Sequence, residues 1–317
     1  MLEISNLTTH YFQGGQVATA VRGASLTLKK GLATAIVGES GSGKSTVAMS
    51  VMRMIRPPIG DIAEGTIRVN GTDVTAASPK QVREILRTSI GFVPQDPTTA
   101  LDPLYTIRSQ IVEAMPHVER DKRTETMVEL LTSLGIADAR DRLREHPHQF
   151  SGGMRQRVAI AIALAKEPDL LIADEPTTAL DVTTQIGILR LLDRLRRERH
   201  LTTMFITHDI RVARLVCQDL AVMYGGVVVE SGPLSAVVDA PSHPYTRALL
   251  DASSLDVGPR QRLRAISGSP PTLLAMPPGC PFAPRCPNAT DICHREMPAT
   301  TAKADGTSFA CWNPVAS

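Results

Sequence analysis

The sequence predicts an α/β fold in which helices cover a mostly parallel sheet. One observation is a set of short apolar segments with the length of buried strands, at 33–37, 169–173 and 203–206. Another is a set of helix-compatible segments that alternates with them, at 46–55, 154–165 and 183–199. A glycine-rich loop also joins the first buried strand to the first helix. Strands that alternate with helices in this way form parallel sheets covered on both faces.

The composition indicates a globular protein of about two domains, since the chain has 317 residues, 43% of them hydrophobic and 21% charged. The formal net charge of +2 is too small for the cationic surface of a nucleic-acid-binding protein. No apolar run approaches the roughly 18 residues of a spanning helix. The first six residues lack the basic and apolar stretches of a secretory signal. We therefore expect a cytoplasmic protein that binds no nucleic acid.

Three further regions flank this α/β core. Alternating apolar residues near Leu2–Leu7 and Ala24–Leu28, separated by Gly14-Gly15, predict an N-terminal antiparallel β subdomain. Helical spacing from about Thr106 to Leu143 predicts an inserted helical subdomain at about 96–165. After about residue 235 frequent prolines predict a loop-rich C-terminal domain over 236–317, with no long regular element and little core of its own.

The glycine-rich loop, Gly38 to Ser45, fits the phosphate-loop pattern G-x-x-x-x-G-K-[ST] in its strand-to-helix context. Its backbone N–H groups are expected to converge on phosphate oxygens at the start of a helix. Lys44 is expected to reach the β- and γ-phosphates of a nucleotide, and the Ser45 hydroxyl to bind Mg²⁺.

Two acidic residues, Asp174 and Glu175, end a predicted buried strand. They should therefore emerge at the carboxyl edge of the sheet, where α/β folds bind ligands. Asp174 suits a Mg²⁺ shell, and Glu175 suits the positioning of an attacking water.

A second helix start, Ser151-Gly152-Gly153, combines an N-cap serine with two glycines. A single nucleotide does not easily need two such starts, so this pattern favours a dimer with nucleotide between the subunits. The nearby Arg194, Arg196, Arg197 and Arg199 are interpreted as a solvent-exposed helix face.

Four of the five cysteines, Cys280, Cys286, Cys293 and Cys311, lie within the C-terminal region. Their thiolates suit either zinc or an iron–sulfur cluster. The spacing lacks the paired C-x2-C knuckles of common zinc sites.

The order of these motifs resembles that of ATP-binding subunits of ABC transporters over about residues 1–235. The resemblance implies a RecA-like P-loop NTPase core. It implies catalytic roles for Glu175, His208 and Gln95, a Mg²⁺ site of Ser45, Gln95 and Asp174, and a place at the dimer seam for Asp181, in Ala179-Leu-Asp181. Ser151, Gly152 and Gly153 would contact the partner subunit's nucleotide. The implied ATP-binding residues, with Tyr11 against adenine, are Tyr11, Gly38, Ser40, Gly41, Gly43, Lys44, Ser45 and Thr46.

Features outside the ATPase motifs resemble the dipeptide and oligopeptide importer branch: Met154 with Arg155-Gln-Arg157, His243 to Leu249, Gly268 to Pro271, and the cysteine tail. This resemblance implies a peptide importer ATPase at the cytoplasmic face of the inner membrane, and favours a [4Fe–4S] cluster over Zn²⁺. The implied partners are a second, non-identical ATPase subunit, two transmembrane permeases and an extracytoplasmic substrate-binding protein. A nickel-chelate or glutathione-type importer and a DNA-directed ABC-type ATPase are the alternatives; an ATP-binding scaffold without turnover is opposed by Glu175 and His208.

Overall fold

The structure is a computed structural model that describes residues 1–178, 180–253 and 266–315. Ala179, which precedes the predicted dimer-seam residue Asp181, lies outside these ranges. The chain packs as two compact units, one of Met1–Lys29, Ala33–Ala76 and Ile206–Ser317, the other of Lys30–Leu32 and Ala77–Phe205. Across the described ranges, no helix is both long enough and apolar enough to span a membrane.

The strands are β1 (Leu2–Gln13), β2 (Gln16–Leu28), β3 (Ala33–Val37), β4 (Gly60–Val69), β5 (Thr72–Asp73), β6 (Ile90–Val93), β7 (Leu170–Asp174), β8 (Thr202–Thr207), β9 (Asp219–Tyr224), β10 (Val227–Pro233), β11 (Thr301–Ala302) and β12 (Ser308–Phe309). The α-helices are α1 (Lys44–Val51), α2 (Pro79–Thr88), α3 (Pro97–Ala100), α4 (Ile107–Glu113), α5 (Arg123–Ser133), α6 (Ala139–Arg142), α7 (Gly152–Leu164), α8 (Val182–Arg199), α9 (Ile210–Val216), α10 (Leu234–Asp239), α11 (Pro244–Ser253) and α12 (Asp291–Arg295).

The first unit contains the predicted N-terminal antiparallel sheet, with strand order β2-β1-β4-β5. Gly14 and Gly15, both with positive φ, form the turn between β1 and β2, and Leu2 pairs with Leu28 across the hairpin. Leu2, Ile4 and Leu7 are buried, as their alternation predicts. The register therefore places one apolar face of the hairpin in the core.

The same unit also contains strand β3, whose five residues are all buried. β3 pairs with β9 in parallel, and β9 pairs with β10 in an antiparallel arrangement. Beyond β10 the sheet continues through β12 to β11. The C-terminal region therefore adds strands to the sheet that carries the phosphate loop.

The C-terminal region is more regular and better packed than its proline content predicts. Helix α11 begins at Pro244, where a ring in the first helical turn interrupts no hydrogen bond. Tyr245 and Phe282 are buried and pack against Tyr224 of β9, with ring centroids 4.5–5.3 Å apart. This aromatic cluster contributes to the hydrophobic core, which is unexpected in a chain with only 3% aromatic residues.

The second unit contains the predicted helices α4, α5 and α6, together with α7, α8 and the parallel pair β6 and β7. Strand β8 begins beside β7, and its last two residues belong to the first unit. The buried face of α7 is rich in small residues such as Ala159, Ala161 and Ala163. These small side chains let the helix pack closely, and a Cβ on Gly91 of β6 would lie 2.6 Å from the carbonyl of Ala163.

Two expectations differ from the structure. Helix α1 begins at Lys44 and ends at Val51, because Gly43 serves as its N-cap and Arg53 adopts a left-handed conformation beyond its end. The prediction that the arginines of α8 form a solvent-exposed face is wrong for Arg196, which is only 9% exposed. Its Nη1 donates to the Gly31 carbonyl at 2.7 Å and its Nη2 pairs with Asp193 at 3.0 Å, so the two terminal nitrogens of the buried guanidinium have partners.

Candidate functional site

The phosphate loop connects β3 to α1, and its glycines are required by close backbone approaches. A Cβ on Gly38 would lie 2.1 Å from the Met223 carbonyl, and one on Gly43 would lie 2.5 Å from that of Ala20. Gly43 also has φ +98°, in the left-handed region that favours glycine. These contacts fix a tight turn. The N–H groups that come directly after this turn belong to the start of α1.

Lys44 is buried at the centre of this loop, with 5% of its surface exposed. Its Nζ donates to the carbonyls of Gly38 at 2.8 Å and Glu39 at 2.9 Å. The two carbonyls compensate for the burial of the ammonium group. They also keep that group within the loop that is expected to bind an anion. Ser40, Gly41, Ser45 and Thr46 lie in the same loop and the first turn of α1.

The other two residues of the first unit that are predicted to bind ATP or act on it are Tyr11 and His208. Tyr11 lies on β1 with its hydroxyl 3.7 Å from Met49 Sδ of α1, and the neighbouring Phe12 is 41% exposed. His208 is exposed directly after β8. It is followed by Asp209, which caps α9; burial alone would raise the pKa of Asp209, but hydrogen bonds from Arg211 outweigh it and lower that pKa.

In the second unit, the structure brings Gln95 and Glu175 together. Gln95 Nε2 donates to Glu175 Oε2 at 3.2 Å, and the Thr178 hydroxyl donates to the same oxygen at 2.8 Å. The parallel register of β6 and β7, with Val93 opposite Ala173, delivers both residues to the same edge of the pair. Two donors therefore fix the orientation of the Glu175 carboxylate. Sequence reasoning missed Thr178, whose only signal was its position three residues after Glu175.

Asp174 is the last residue of β7 and is 8% exposed, as expected for a carboxylate at the end of a buried strand. Glu175 follows with φ +44°, a left-handed conformation that is uncommon for a non-glycine residue. The strand therefore ends at Asp174, and the chain changes direction at Glu175.

The two helix starts of the second unit lie side by side. Ser151 caps α7, its Oγ accepting from the Met154 N–H at 3.3 Å. Asp181 caps α8, accepting from the Thr184 N–H at 3.0 Å and from its hydroxyl at 2.7 Å, and these bonds lower the pKa of Asp181. A Cβ on Gly153 would lie 2.7 Å from Thr184 Cγ2, so the glycine permits this close approach. The N–H groups of both helix starts thus face one region of the unit.

In the C-terminal region, Cys280, Cys286, Cys293 and Cys311 line one small cavity. Burial, together with the other three cysteines, raises the pKa of Cys311 to about 11. Asn313 and Thr290 contact the Cys293 sulfur at 3.4 and 3.5 Å. Within the described ranges, no three His, Cys, Asp or Glu side chains form a site for a single metal ion.

His243 lines the same cavity. Its Nδ1 accepts a hydrogen bond from the Tyr245 N–H at 3.0 Å, which places the proton of the neutral ring on Nε2. Burial lowers the pKa of His243 to about 3, so the ring stays neutral. Nε2 is buried and has no hydrogen-bond partner among the residues that the structure describes. The cavity therefore has four thiols and one unsatisfied N–H donor in its wall.

Sequence reasoning also missed a contact between the phosphate loop and the C-terminal region. Glu39 of the loop accepts two hydrogen bonds from Arg285, the residue before Cys286. Neither residue belongs to a pattern that predicts the contact, because 246 positions separate them.

Comparison with known families gives two matches. The family described as ABC transporter matches residues 21–178, and the C-terminal region of oligopeptide/dipeptide transporters matches residues 229–293. The chain is 42% identical over 316 residues to the dipeptide transport ATP-binding protein DppD of Bacillus subtilis (strain 168), covering 98% of this chain and 94% of that protein. It is 41% identical over 318 residues to DppD of Escherichia coli (strain K12), covering 99% and 97%.

Among solved structures, the fold matches a dimeric ATP-binding cassette in a post-hydrolysis state bound to ADP and Pi. That match has a TM-score of 0.65 and 31% identity, and it covers 74% of this chain and 99% of the solved one. The predicted cassette fold is therefore confirmed. The solved chain leaves about a quarter of this one unmatched.

Proposed function

This chain belongs to the ABC transporter ATP-binding family, and from that premise we propose how its residues bind ATP and drive transport. It is an ATP-hydrolysing subunit of a dipeptide or oligopeptide importer. The observation that carries this conclusion is the similarity along nearly the whole chain, which includes the C-terminal region. The DNA-directed alternative therefore loses support. We also propose a division of the chain near residue 235, which the C-terminal family match from residue 229 supports, and an inserted helical subdomain at about 96–165, which the helices of that range support.

We propose that the phosphate loop binds the β- and γ-phosphates through its backbone N–H groups and Lys44. The two carbonyl contacts of Lys44 support this role, because they hold the ammonium inside the loop. Tyr11 is proposed to stack on adenine, and His208 to contact the γ-phosphate.

Hydrolysis is proposed to use Glu175 as the base that orients the attacking water. The hydrogen bonds from Gln95 and Thr178 support this role, because a carboxylate with a fixed orientation can align a water for in-line attack. Ser45, Gln95 and Asp174 would hold Mg²⁺, since all three offer the oxygen ligands that this ion prefers. The ion would neutralise charge on the phosphates.

A second ATPase subunit is proposed to complete each site, with Ser151, Gly152 and Gly153 against the partner's nucleotide and Asp181 at the seam. The adjacent starts of α7 and α8 support this proposal. They bring together N–H donors that a nucleotide bound in this subunit's own phosphate loop does not need. Importers of this kind work with permeases and a substrate-binding protein. We propose a non-identical ATPase partner, two permeases and a location on the cytoplasmic face of the inner membrane.

For the C-terminal cysteines we propose a [4Fe–4S] cluster, with Zn²⁺ as the alternative. The donor set fits, because four thiols line one cavity and an unsatisfied N–H donor lines the same cavity. A [4Fe–4S] cluster takes one thiolate per iron, which is the number of thiols in this cavity. When bound, the group would crosslink the tail, and its binding free energy would contribute to folding of that region.

The function is tested by reconstituting the chain with its permeases, partner ATPase and binding protein in proteoliposomes. Dipeptide or oligopeptide uptake should require ATP and stop with Lys44→Ala in this chain. Uptake of nickel chelates or glutathione, without peptide uptake, would instead support the alternative importers.

A further inference from the structure

The phosphate loop carries a carboxylate, Glu39, that is paired with an arginine of the C-terminal region. Arg285 Nη1 lies 2.6 Å from Glu39 Oε2, and Arg285 Nη2 lies 3.1 Å from Oε1. This two-pronged geometry is the strong form of an arginine–carboxylate pair. The Arg285 side chain is only 5% exposed and that of Glu39 is 26% exposed, so water screens the pair weakly.

The surroundings of Arg285 hold the pair in place. Its Nη1 also donates to the Tyr224 hydroxyl at 2.9 Å, and its guanidinium lies over the Tyr224 and Phe282 rings. The hydrogen bonds with Glu39 raise the pKa of Arg285, so the guanidinium stays charged. Its Nε and Nη2 donate to the carbonyls of Ser267 and Ile266. Arg285 is therefore anchored before any nucleotide binds.

The C-terminal region also holds the backbone of the loop. The Glu39 N–H donates to the Tyr245 hydroxyl at 2.9 Å. Pro270 to Leu273 line the same cavity as Glu39 to Ser42. Thus one loop residue is fixed at its backbone by Tyr245 and at its side chain by Arg285.

A carboxylate in a phosphate-binding loop opposes the function of that loop. Its charge repels the phosphates of a nucleotide, and it competes with them for N–H groups and for Lys44. An arginine that takes both carboxylate oxygens removes most of that repulsion. The pair also directs the carboxylate toward the C-terminal region.

We propose that Arg285 is a positioning residue for nucleotide binding, which neutralises Glu39 and fixes the phosphate loop. The proposal rests on the proposed role of that loop. It makes the C-terminal region part of the nucleotide site. Arg285 immediately precedes Cys286, so one short segment carries both a cysteine of the predicted cluster and the residue that holds the loop.

The test measures Mg·ATP and ADP affinity of the full-length chain by titration calorimetry for Arg285→Gln, Glu39→Gln and the double variant. Arg285→Gln should weaken binding about tenfold, because Glu39 is left unpaired beside the phosphates. Glu39→Gln should bind at least as well as the parent. The double variant should recover most of the affinity, since it holds neither charge.

Matched controls separate this account from general damage. Arg295→Gln removes the same charge from an exposed position of the C-terminal region and should leave affinity unchanged. If Arg285→Gln does not fold, Arg285→Lys tests the positioning part of the proposal, because it keeps the charge and loses the two-pronged geometry. Its affinity should fall between those of the parent and Lys44→Ala.

Two results would overturn the proposal: full affinity in Arg285→Gln, or a double variant as weak as Arg285→Gln. The second would show that Arg285 only stabilises the fold. Lys44→Ala distinguishes this failure from that of the proposed function. If Lys44→Ala loses ATP binding while Arg285→Gln retains it, only the positioning role is wrong.

Discussion

Gln95 Nε2 donates a hydrogen bond to Glu175 Oε2 across 3.2 Å, although 80 positions separate the two residues in the chain. The parallel pairing of β6 with β7 produces this contact. Val93 lies opposite Ala173, and Gln95 and Glu175 each follow two residues later. The contact joins the predicted water-orienting carboxylate to a predicted ligand of the Mg²⁺ site.

Replacing Gln95 by Glu should slow hydrolysis and shift its pH dependence. A second carboxylate beside Glu175 disfavours two negative charges at this position. Because the base must be deprotonated, the acid limb of the pH–rate profile should move to higher pH. Steady-state phosphate release from the assembled complex, measured across pH, checks this. An unshifted acid limb with a lower maximal rate would contradict the pairing in the working enzyme.

Lys44→Ala should lower ATP affinity at least about tenfold, because the loop loses the cation that faces the phosphates. Equilibrium binding of Mg·ATP to the full chain measures this. Lys80→Ala, at an exposed position of α2, is the matched control and should bind normally. Equal affinity in the Lys44 variant and the control would exclude the phosphate-loop assignment.

Asp181 has two roles that substitution can separate. Asp181→Ala removes the cap of α8 and should cost about 1 kcal/mol of unfolding free energy. Asp181→Asn keeps a capping oxygen and removes the charge. If the charge acts at the dimer seam, the Asn variant should keep its thermal stability and lose ATPase activity in the complex. Normal activity in Asp181→Asn would reduce the residue to a helix cap.

Anaerobically purified protein should contain iron and acid-labile sulfide. Cys286→Ser and Cys293→Ser together should abolish both and increase proteolysis after about residue 235. His243→Phe should retain the iron and lower the reduction potential by tens of millivolts, because an N–H donor no longer meets sulfur. The exposed His294→Phe is its control. Stoichiometric zinc without iron would support the zinc alternative.

Sequence patterns predicted the elements of the fold because their signals are local. The strand, glycine loop and helix around Lys44 are contiguous, and Ser151 and Asp181 cap helices within three residues of themselves. Contacts between distant residues had no such signal. The Glu39–Arg285 pair and the packing of Tyr245 against Tyr224 depend on how the C-terminal region returns to the sheet. The burial of Arg196 has no local signal either, because the Gly31 carbonyl that its guanidinium meets lies 165 positions away in the chain.

The most direct test of the account separates ATP binding from ATP hydrolysis in Glu175→Gln. The substitution keeps the volume of the side chain and removes the carboxylate that orients water. In the assembled complex, Mg·ATP affinity should stay near that of the parent while phosphate release from this subunit's site falls about 10²- to 10⁴-fold. Glu3→Gln, at an exposed position of β1, should change neither quantity. Phosphate release at the parent rate, measured with the partner subunit's own base also replaced, would contradict the account.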